Sequence, residues 1–163
     1  MPKTLVFLHG LESGPHGSKY HTLLGLGLGE VIAPDCTGIM DVPTRLAIIE
    51  TALGEHTELL LVGSSFGGLM ALAYAASHPE QVAGLVLCAP AVHRPDIMEP
   101  PGVANGLPVR VLHGDHDDIV PLDAVQGWTS RHSLPLRIVA DGHRLQDSHG
   151  VMGELVREIW AAG

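Results

Sequence analysis

The sequence predicts an α/β fold of three layers, in which helices cover both faces of a mostly parallel six-stranded sheet. Six short runs are almost continuously apolar, which is typical of strands buried on both faces. Segments with helical spacing separate these runs, and no repeat or linker interrupts the alternation along the 163 residues. The whole chain, residues 1–163, is therefore expected to form one domain.

The first third of the chain supplies two strands and two helices. Leu5–Leu8 is a short apolar run that predicts a buried strand. A helix weakened by glycines is expected over residues 19–28, and Val31–Ala33 forms the second strand. Pro43 suits a first helical position, and apolar residues at helical spacing continue from it to residue 56.

The middle of the chain has the clearest pattern. Glu58–Val62 predicts a third strand, and the Ala- and Leu-rich segment Phe66–Ser77 predicts a helix packed against the sheet. Pro79 follows shortly after that helix, as expected of a helix end. Val82–Ala89 is again continuously apolar and forms the fourth strand.

The last part begins with an irregular surface segment, residues 90–106, which contains four prolines and no periodicity. Val109–His113 and Leu136–Ala140 predict the fifth and sixth strands. Helices are expected over residues 121–130 and 146–161, the second with its apolar residues on one face.

Charge and composition narrow the possible partners. The formal net charge of −9 argues against a nucleic-acid partner, which requires clustered Lys and Arg. The sequence has neither a signal-peptide pattern nor an apolar run long enough to cross a membrane, so we expect a cytoplasmic protein. Cys36 and Cys88 are too few for a disulfide framework. The oligomeric state is not predicted.

A turn between the third strand and the next helix carries the strongest functional signal. Gly63-Ser64-Ser65-Phe66-Gly67 fits the G-x-S-x-G pattern of a nucleophile elbow. Such a turn is too tight for side chains two residues either side of the nucleophile, which explains the two glycines. The pattern predicts that Ser65 is a nucleophile.

A serine nucleophile needs a base, and the base needs a carboxylate to orient it. In chain order the carboxylate should follow the serine and precede the histidine. Three aspartates crowd the turn after the fifth strand: Asp115, Asp117 and Asp118. Asp117 is the preferred acid because it lies past the strand end and before the next helix, and the other two remain alternatives.

The histidine is expected on the loop after the sixth strand. His143 lies just beyond the strand end, from which an imidazole can lean over the sheet toward Ser65. His149 lies further on, inside the predicted helix, where a surface or capping role suits it better. His143 is therefore the predicted general base.

An oxyanion hole requires backbone N–H donors beside the nucleophile. One donor is expected from Phe66, directly after Ser65, and the other from the loop after the first strand, at Leu11. Gly10 would let that loop approach the substrate closely. His9 is expected to hold the loop by hydrogen bonds.

No cofactor is predicted. The segment His113-Gly114-Asp115-His116-Asp117 lacks the His-x-His core of hydrolytic zinc motifs, and H-E-x-x-H is absent from the sequence. The first strand is not followed by the G-x-G spacing of dinucleotide-binding proteins. Neither a metal nor a nucleotide is therefore expected.

Four motifs together resemble the α/β-hydrolase superfamily over nearly the whole chain. They are Leu8-His9-Gly10, Gly63 to Gly67, His113-Gly114-x-x-Asp117-x-x-Val120-Pro121 and Gly142-His143. The resemblance implies a minimal α/β-hydrolase fold and assigns Ser65, Asp117 and His143 to the catalytic triad. The residues from His9 to Ser13, with Ser18-Lys19, look like a small lidless esterase branch. That branch includes YqiA-type esterases and acyl-glucuronide esterases/depalmitoylases.

The resemblance also implies the kind of substrate. Larger relatives insert a lid after the fourth strand, where this chain is too short for one. Val92, Ile97 and Met98 in this segment are expected to line an acyl pocket. We therefore expect a serine esterase that takes small-molecule esters with small or medium acyl groups. The alternatives are a thioesterase or other acyl hydrolase with the same triad, or a non-catalytic ligand-binding protein.

Overall fold

Six strands form a single sheet in the computed structural model, which describes residues 3–162. Within these residues four helices lie between strands and a fifth follows the last strand, whereas an irregular segment joins the fourth strand to the fifth. In chain order the elements are β1 (Thr4–Leu8), α1 (Ser18–Gly25), β2 (Val31–Ile32), α2 (Val42–Leu53), β3 (Leu59–Ser64), α3 (Phe66–Ser77), β4 (Val82–Cys88), β5 (Val109–Gly114), α4 (Leu122–Arg131), β6 (Leu136–Val139) and α5 (His149–Ala162).

The strand order across the sheet is β2-β1-β3-β4-β5-β6, and every neighbouring pair is parallel. The register aligns the carboxyl ends of the central strands: Leu8 lies opposite Gly63, and Ser64 opposite Cys88. The loops that follow these strands therefore emerge along one edge of the sheet. In open parallel sheets this edge is where ligands bind.

Alternate side chains of each strand enter two separate cores. On β3, Leu59 and Leu61 pack with α2, α3 and α4, whereas Leu60 and Val62 pack with α1 and α5 on the opposite face. All four leucine and valine side chains are fully buried. Burial on both faces explains why the strands are continuously apolar rather than alternating.

The predicted fold class is confirmed, and α3 has the predicted limits. Three helix boundaries differ from the prediction by three residues. α2 ends at Leu53 instead of residue 56, where Gly54 adopts a φ of +51°. α1 ends at Gly25 instead of residue 28, because Gly27 adopts a φ of +70° that cannot continue a helix. α5 begins at His149 instead of residue 146, because Leu145 has a φ of +52° and the preceding residues form a separate turn.

The segment over residues 90–106 has no helix or strand, as predicted, but it does not lie wholly on the surface. Val92 is buried, and Met98 and Val103 pack against the core formed with α2, α3 and α4. Within residues 3–162, no helix combines the length and the hydropathy that crossing a bilayer would require.

Candidate active site

Ser65 forms the turn between β3 and α3 in a backbone conformation that side chains rarely adopt. Its φ is +56° and its ψ is −115°. The turn is tied to the next strand, because the Ser65 N–H donates to the Cys88 carbonyl at 2.9 Å. The Ser65 carbonyl accepts from the N–H groups of Gly68 at 2.9 Å and Ala91 at 3.0 Å. These bonds hold the strained residue in place.

The glycines on either side of Ser65 are required by close packing. A Cβ atom on Gly63 would lie 2.5 Å from the Gly67 carbonyl oxygen. A Cβ atom on Gly67 would collide with the carbonyl groups of Leu8 and His9, in the loop after β1. The helix and the neighbouring strand therefore approach closely only because both positions lack a side chain.

Asp117 is buried in the turn after β5. Its side chain is fully inaccessible, and its Oδ1 accepts the backbone N–H groups of Ile119 at 2.9 Å and Val120 at 2.8 Å. Asp115 and Asp118 are exposed in the same turn. Of the three aspartates that the sequence offered, the structure brings Asp117 to the histidine.

His143 lies between Asp117 and Ser65. Its Nδ1 is 2.8 Å from Oδ2 of Asp117, and its Nε2 is 3.0 Å from Oγ of Ser65. Since a carboxylate only accepts hydrogen bonds, the proton of the neutral imidazole belongs on Nδ1. Nε2 is then free to accept the proton of the Ser65 hydroxyl. The three side chains form one hydrogen-bonded line.

The loop that carries His143 is held by Asp141. Oδ1 of Asp141 accepts the N–H of Gly142 at 2.8 Å. Oδ2 accepts the N–H of Asp147 at 2.9 Å and the hydroxyl of Ser148 at 2.7 Å. Desolvation opposes ionisation of Asp141, but these hydrogen bonds outweigh it and hold the pKa of the carboxyl below its usual value.

His149, the alternative base, lies at the first residue of α5. Its Nδ1 is 3.2 Å from Oγ1 of Thr22 on α1, on the other side of the loop from Ser65. It therefore connects two helices rather than reaching the serine.

His113, at the end of β5, is a site residue whose role was not predicted from the sequence. Its Nε2–H donates to the Val120 carbonyl at 2.9 Å and lies 3.3 Å from Oδ2 of Asp117. Burial lowers the pKa of this imidazole, which is fully inaccessible. His113 begins one of the motifs that resemble α/β hydrolases, but no role was predicted for it, although its place at the end of a buried strand marks it as inward-facing.

The loop after β1 lies against the nucleophile. A Cβ atom on Gly10 would be 3.4 Å from Cβ of Ser65, so this position leaves little room for a side chain. His9 holds the loop: its Nε2 accepts the Cys36 N–H at 2.9 Å, and its Nδ1–H donates to the Gly10 carbonyl at 2.7 Å. Among residues 3–162, the turn and loop hydrogen bonds use neither the N–H of Leu11 nor that of Phe66.

This fold is shared with known proteins. A family model described as serine aminopeptidase, S33, matches residues 37–105, which include the Ser65 turn. A solved structure from Xanthomonas campestris pv. campestris, assigned to the α/β-hydrolase superfamily, is 26% identical, with a TM-score of 0.85 and 99% of each chain covered. The family match and this structure agree with the resemblance to the α/β-hydrolase superfamily, and the chain has the fold of that superfamily.

Two further solved structures share the fold of this chain at lower identity. Mouse alpha/beta hydrolase domain-containing protein 10 is 17% identical, with a TM-score of 0.78 over 96% of this chain and 88% of its own. Est1E from Butyrivibrio proteoclasticus is 18% identical, with a TM-score of 0.76 over 98% of this chain and 88% of its own. No curated protein sequence matches the chain significantly. The comparisons do not single out a branch of the superfamily, so the lidless esterase branch stays a prediction.

A cavity of about 590 Å³ opens beside Ser65 and His143. Its apolar wall includes Phe7, Leu11 and Ile119, whereas Lys19 and Arg144 contribute the cationic side chains.

The residues expected to form an acyl pocket do not line this cavity. Val92 is buried in the core, Met98 packs against that core, and Ile97 is 43% exposed. The apolar side chains of Met98 and Val103 in this segment pack instead against the core formed with α2, α3 and α4. A substrate-binding role for these three residues stays a prediction without support from the geometry.

In the described part of the chain, no three His, Cys, Asp or Glu side chains are close enough to hold a metal ion. The buried thiol of Cys88 lies under the Ser65 turn, and desolvation raises its pKa to about 11. It is therefore a protonated core residue at neutral pH rather than a second nucleophile.

Proposed function

We propose that this α/β hydrolase is a serine esterase that cleaves carboxylic esters of small or medium acyl groups. The observation that carries the proposal is the unbroken line from Ser65 Oγ to His143 Nε2, and from His143 Nδ1 to Asp117 Oδ2. A binding protein would not need a strained serine, an imidazole and a buried carboxylate brought together from three separate loops.

In the first step, Oγ of Ser65 attacks the ester carbonyl carbon while Nε2 of His143 takes the hydroxyl proton. The tetrahedral intermediate collapses when the carbon–oxygen bond to the alcohol breaks. His143 then gives its proton to the departing alcohol, and an acyl-enzyme on Ser65 remains. Asp117 keeps the imidazole in the required tautomer and stabilises the imidazolium that forms transiently.

The negative charge that develops on the carbonyl oxygen needs donors in place before the reaction. The backbone N–H groups of Leu11 and Phe66 flank Ser65 and are the proposed oxyanion hole. In the second step, His143 removes a proton from water, and the resulting hydroxide attacks the acyl-enzyme. Collapse releases the carboxylic acid and returns the proton to Ser65.

The open cavity beside Ser65 supports small-molecule esters as substrates. Its volume of about 590 Å³ suits an acyl or alcohol group of modest size, and within residues 3–162 no separate domain covers it. A thioester could reach the same atoms, so p-nitrophenyl esters of increasing length should be compared with matched thioesters.

The decisive experiment pairs Ser65→Ala with Ser77→Ala, a serine at the opposite end of α3. We expect a fluorophosphonate probe to label wild type and Ser77→Ala equally and to leave Ser65→Ala unlabelled. Hydrolysis of the best ester should fall about 10³-fold or more in Ser65→Ala alone. Equal labelling of all three proteins, or no turnover of any ester by wild type, would refute the proposal.

A further inference from the structure

Arg45 is a charged side chain sealed inside the protein. It lies on α2, is 1% exposed and donates only to backbone carbonyl oxygens. Nε donates to Ile39 at 2.6 Å, Nη1 to His9 at 2.8 Å and Nη2 to Gly10 at 3.0 Å. Among residues 3–162, none of the ion pairs includes Arg45.

A buried charge without a partner carboxylate is costly, so its retention needs a reason. Desolvation lowers the pKa of the guanidinium, but an arginine still keeps its charge at neutral pH. A side chain does not need a charge to hold loop carbonyl groups together by hydrogen bonds. Gln81 does so with a neutral amide, which donates to Gly54 at 3.0 Å and His56 at 2.8 Å.

The hydrogen bond to the Gly10 carbonyl distinguishes Arg45 from Gln81, whose hydrogen bonds only hold loop carbonyls in place. The Gly10 carbonyl and the Leu11 N–H belong to one peptide group, and the described chain contains no cis peptide bond. In a trans peptide the two groups point in opposite directions. The guanidinium therefore binds the carbonyl side of the peptide, and the Leu11 N–H, the proposed oxyanion donor, points the opposite way.

A cation on the carbonyl oxygen draws electron density from the peptide and makes its N–H a stronger donor. His9 Nδ1–H donates to the same oxygen at 2.7 Å, so two donors act on it. The guanidinium carbon of Arg45 also lies 5.1 Å from the ring centre of Phe66, whose N–H is the other proposed donor. Arg45 thus contacts the peptide group of one proposed donor and the side chain of the other.

We propose that Arg45 is a positioning residue of the oxyanion hole, which fixes and polarises the Gly10–Leu11 peptide for the transition state. The inference rests on the proposed function. In the resting protein the guanidinium has no counter-charge. During the reaction the oxyanion supplies one through the peptide, so the stabilisation is larger in the transition state than in the bound ester.

The test compares Arg45→Gln with Gln81→Met. The second substitution removes two hydrogen bonds that a buried amide donates to carbonyl groups far from Ser65. Losing a whole oxyanion-hole donor costs about 10²–10³ in kcat, so weakening one should cost about 10–100-fold. We expect Arg45→Gln to lose this much kcat with KM within about twofold, and its rate of fluorophosphonate labelling to fall in parallel. Gln81→Met should lose thermal stability but keep kcat.

A second measurement separates polarisation from a loosened fold. In a thionoester the carbonyl oxygen is replaced by sulfur, which accepts hydrogen bonds weakly. Arg45→Gln should therefore lower the ratio of kcat for the oxygen ester to kcat for its thionoester. Arg45→Lys, which keeps the charge but not the planar fork, should restore part of both kcat and the ratio.

The outcomes are separable from those for the proposed function. Wild type that no fluorophosphonate labels would defeat the esterase proposal itself. A labelled, active wild type with a folded Arg45→Gln of equal kcat and equal ratio would overturn the role of Arg45. If Arg45→Gln does not fold, Arg45→Lys decides: a several-fold lower kcat with a lower ratio supports the role, and wild-type values overturn it.

Discussion

The turn that carries Ser65 and the loop that carries His143 are held in place by different forces. Steric contact fixes the serine turn, because Gly63 and Gly67 pack so closely that no side chain fits at either position. Hydrogen bonds donated to one carboxylate, that of Asp141, fix the histidine loop. A sterically fixed turn tolerates no enlargement, whereas a hydrogen-bonded loop should respond to substitution by degrees.

Gly67→Ala tests the steric explanation of the serine turn and is expected to have the largest effect. Its Cβ would meet the backbone carbonyls of Leu8 and His9, which cannot move aside as a flexible side chain could. We expect a loss of unfolding free energy of about 3 kcal/mol or more, together with loss of fluorophosphonate labelling. The free energy is measured by urea unfolding.

Gly127→Ala is the matched control, because that glycine lies within α4 and its Cβ would come no closer than 3.6 Å to Arg131 Nη1. This substitution should stabilise the protein by about 0.5–1 kcal/mol. A Gly67→Ala protein as stable and as readily labelled as wild type would disprove the steric explanation.

Asp141→Ala should have an intermediate effect. Three hydrogen bonds to the loop are lost, and the unpaired groups partly regain water, so we expect a stability loss of about 1–3 kcal/mol. His143 would occupy its place beside Ser65 for less of the time, and kcat for ester hydrolysis should fall about 10-fold. The exposed neighbour Asp147→Ala is the control and should match wild type in both measurements. Unchanged kcat in Asp141→Ala would show that the loop is fixed by other contacts.

The smallest expected effect is a pH dependence of stability from the buried histidines. Desolvation holds the pKa values of His9 and His113 below the ordinary value. As the pH falls below about 6.5, the unfolded chain gains protons that the folded protein does not, so stability falls. Each such proton contributes at most about 1.4 kcal/mol per pH unit.

Urea unfolding between pH 7.5 and 5.5 measures this dependence. His113→Gln should give a shallower slope than wild type, whereas His116→Gln should not, since 74% of the His116 side chain is exposed. An identical slope for wild type and His113→Gln would show that His113 is not protonated differently in the two states.

The sequence predicted correctly the limits of α3, which neighbouring residues determine, and failed at the start of α5, which a more distant side chain determines. The limits of α3 follow from a glycine-rich turn before it and Pro79 after it, and the prediction matched both. The start of α5 could not be found in this way. It depends on Asp141, whose side chain binds the chain six and seven residues ahead and delays the helix. The periodicity of the apolar residues does not reveal such a hydrogen bond.

Arg45 illustrates the same limit at the site. Its charge predicts exposure, yet it is four residues before Ile49 and eight before Leu53, both buried on the same face of α2. The helical spacing therefore did contain a signal that Arg45 points inward. What the sequence could not show is that a loop more than thirty residues earlier supplies the carbonyl oxygens. That follows only from the pairing of β1 with β3.

The hydrogen bond between His143 and Ser65 joins residues 78 positions apart, and the bond between His143 and Asp117 spans 26. Contacts of such long range form only when the chain between them has closed its loops. Recovery of serine reactivity after dilution from denaturant would therefore mark the end of folding, since β3 and α3 adjoin in the chain whereas β5, β6 and their loops must all dock first. The rate at which catalytic activity returns would therefore measure the rate of the last stage of refolding.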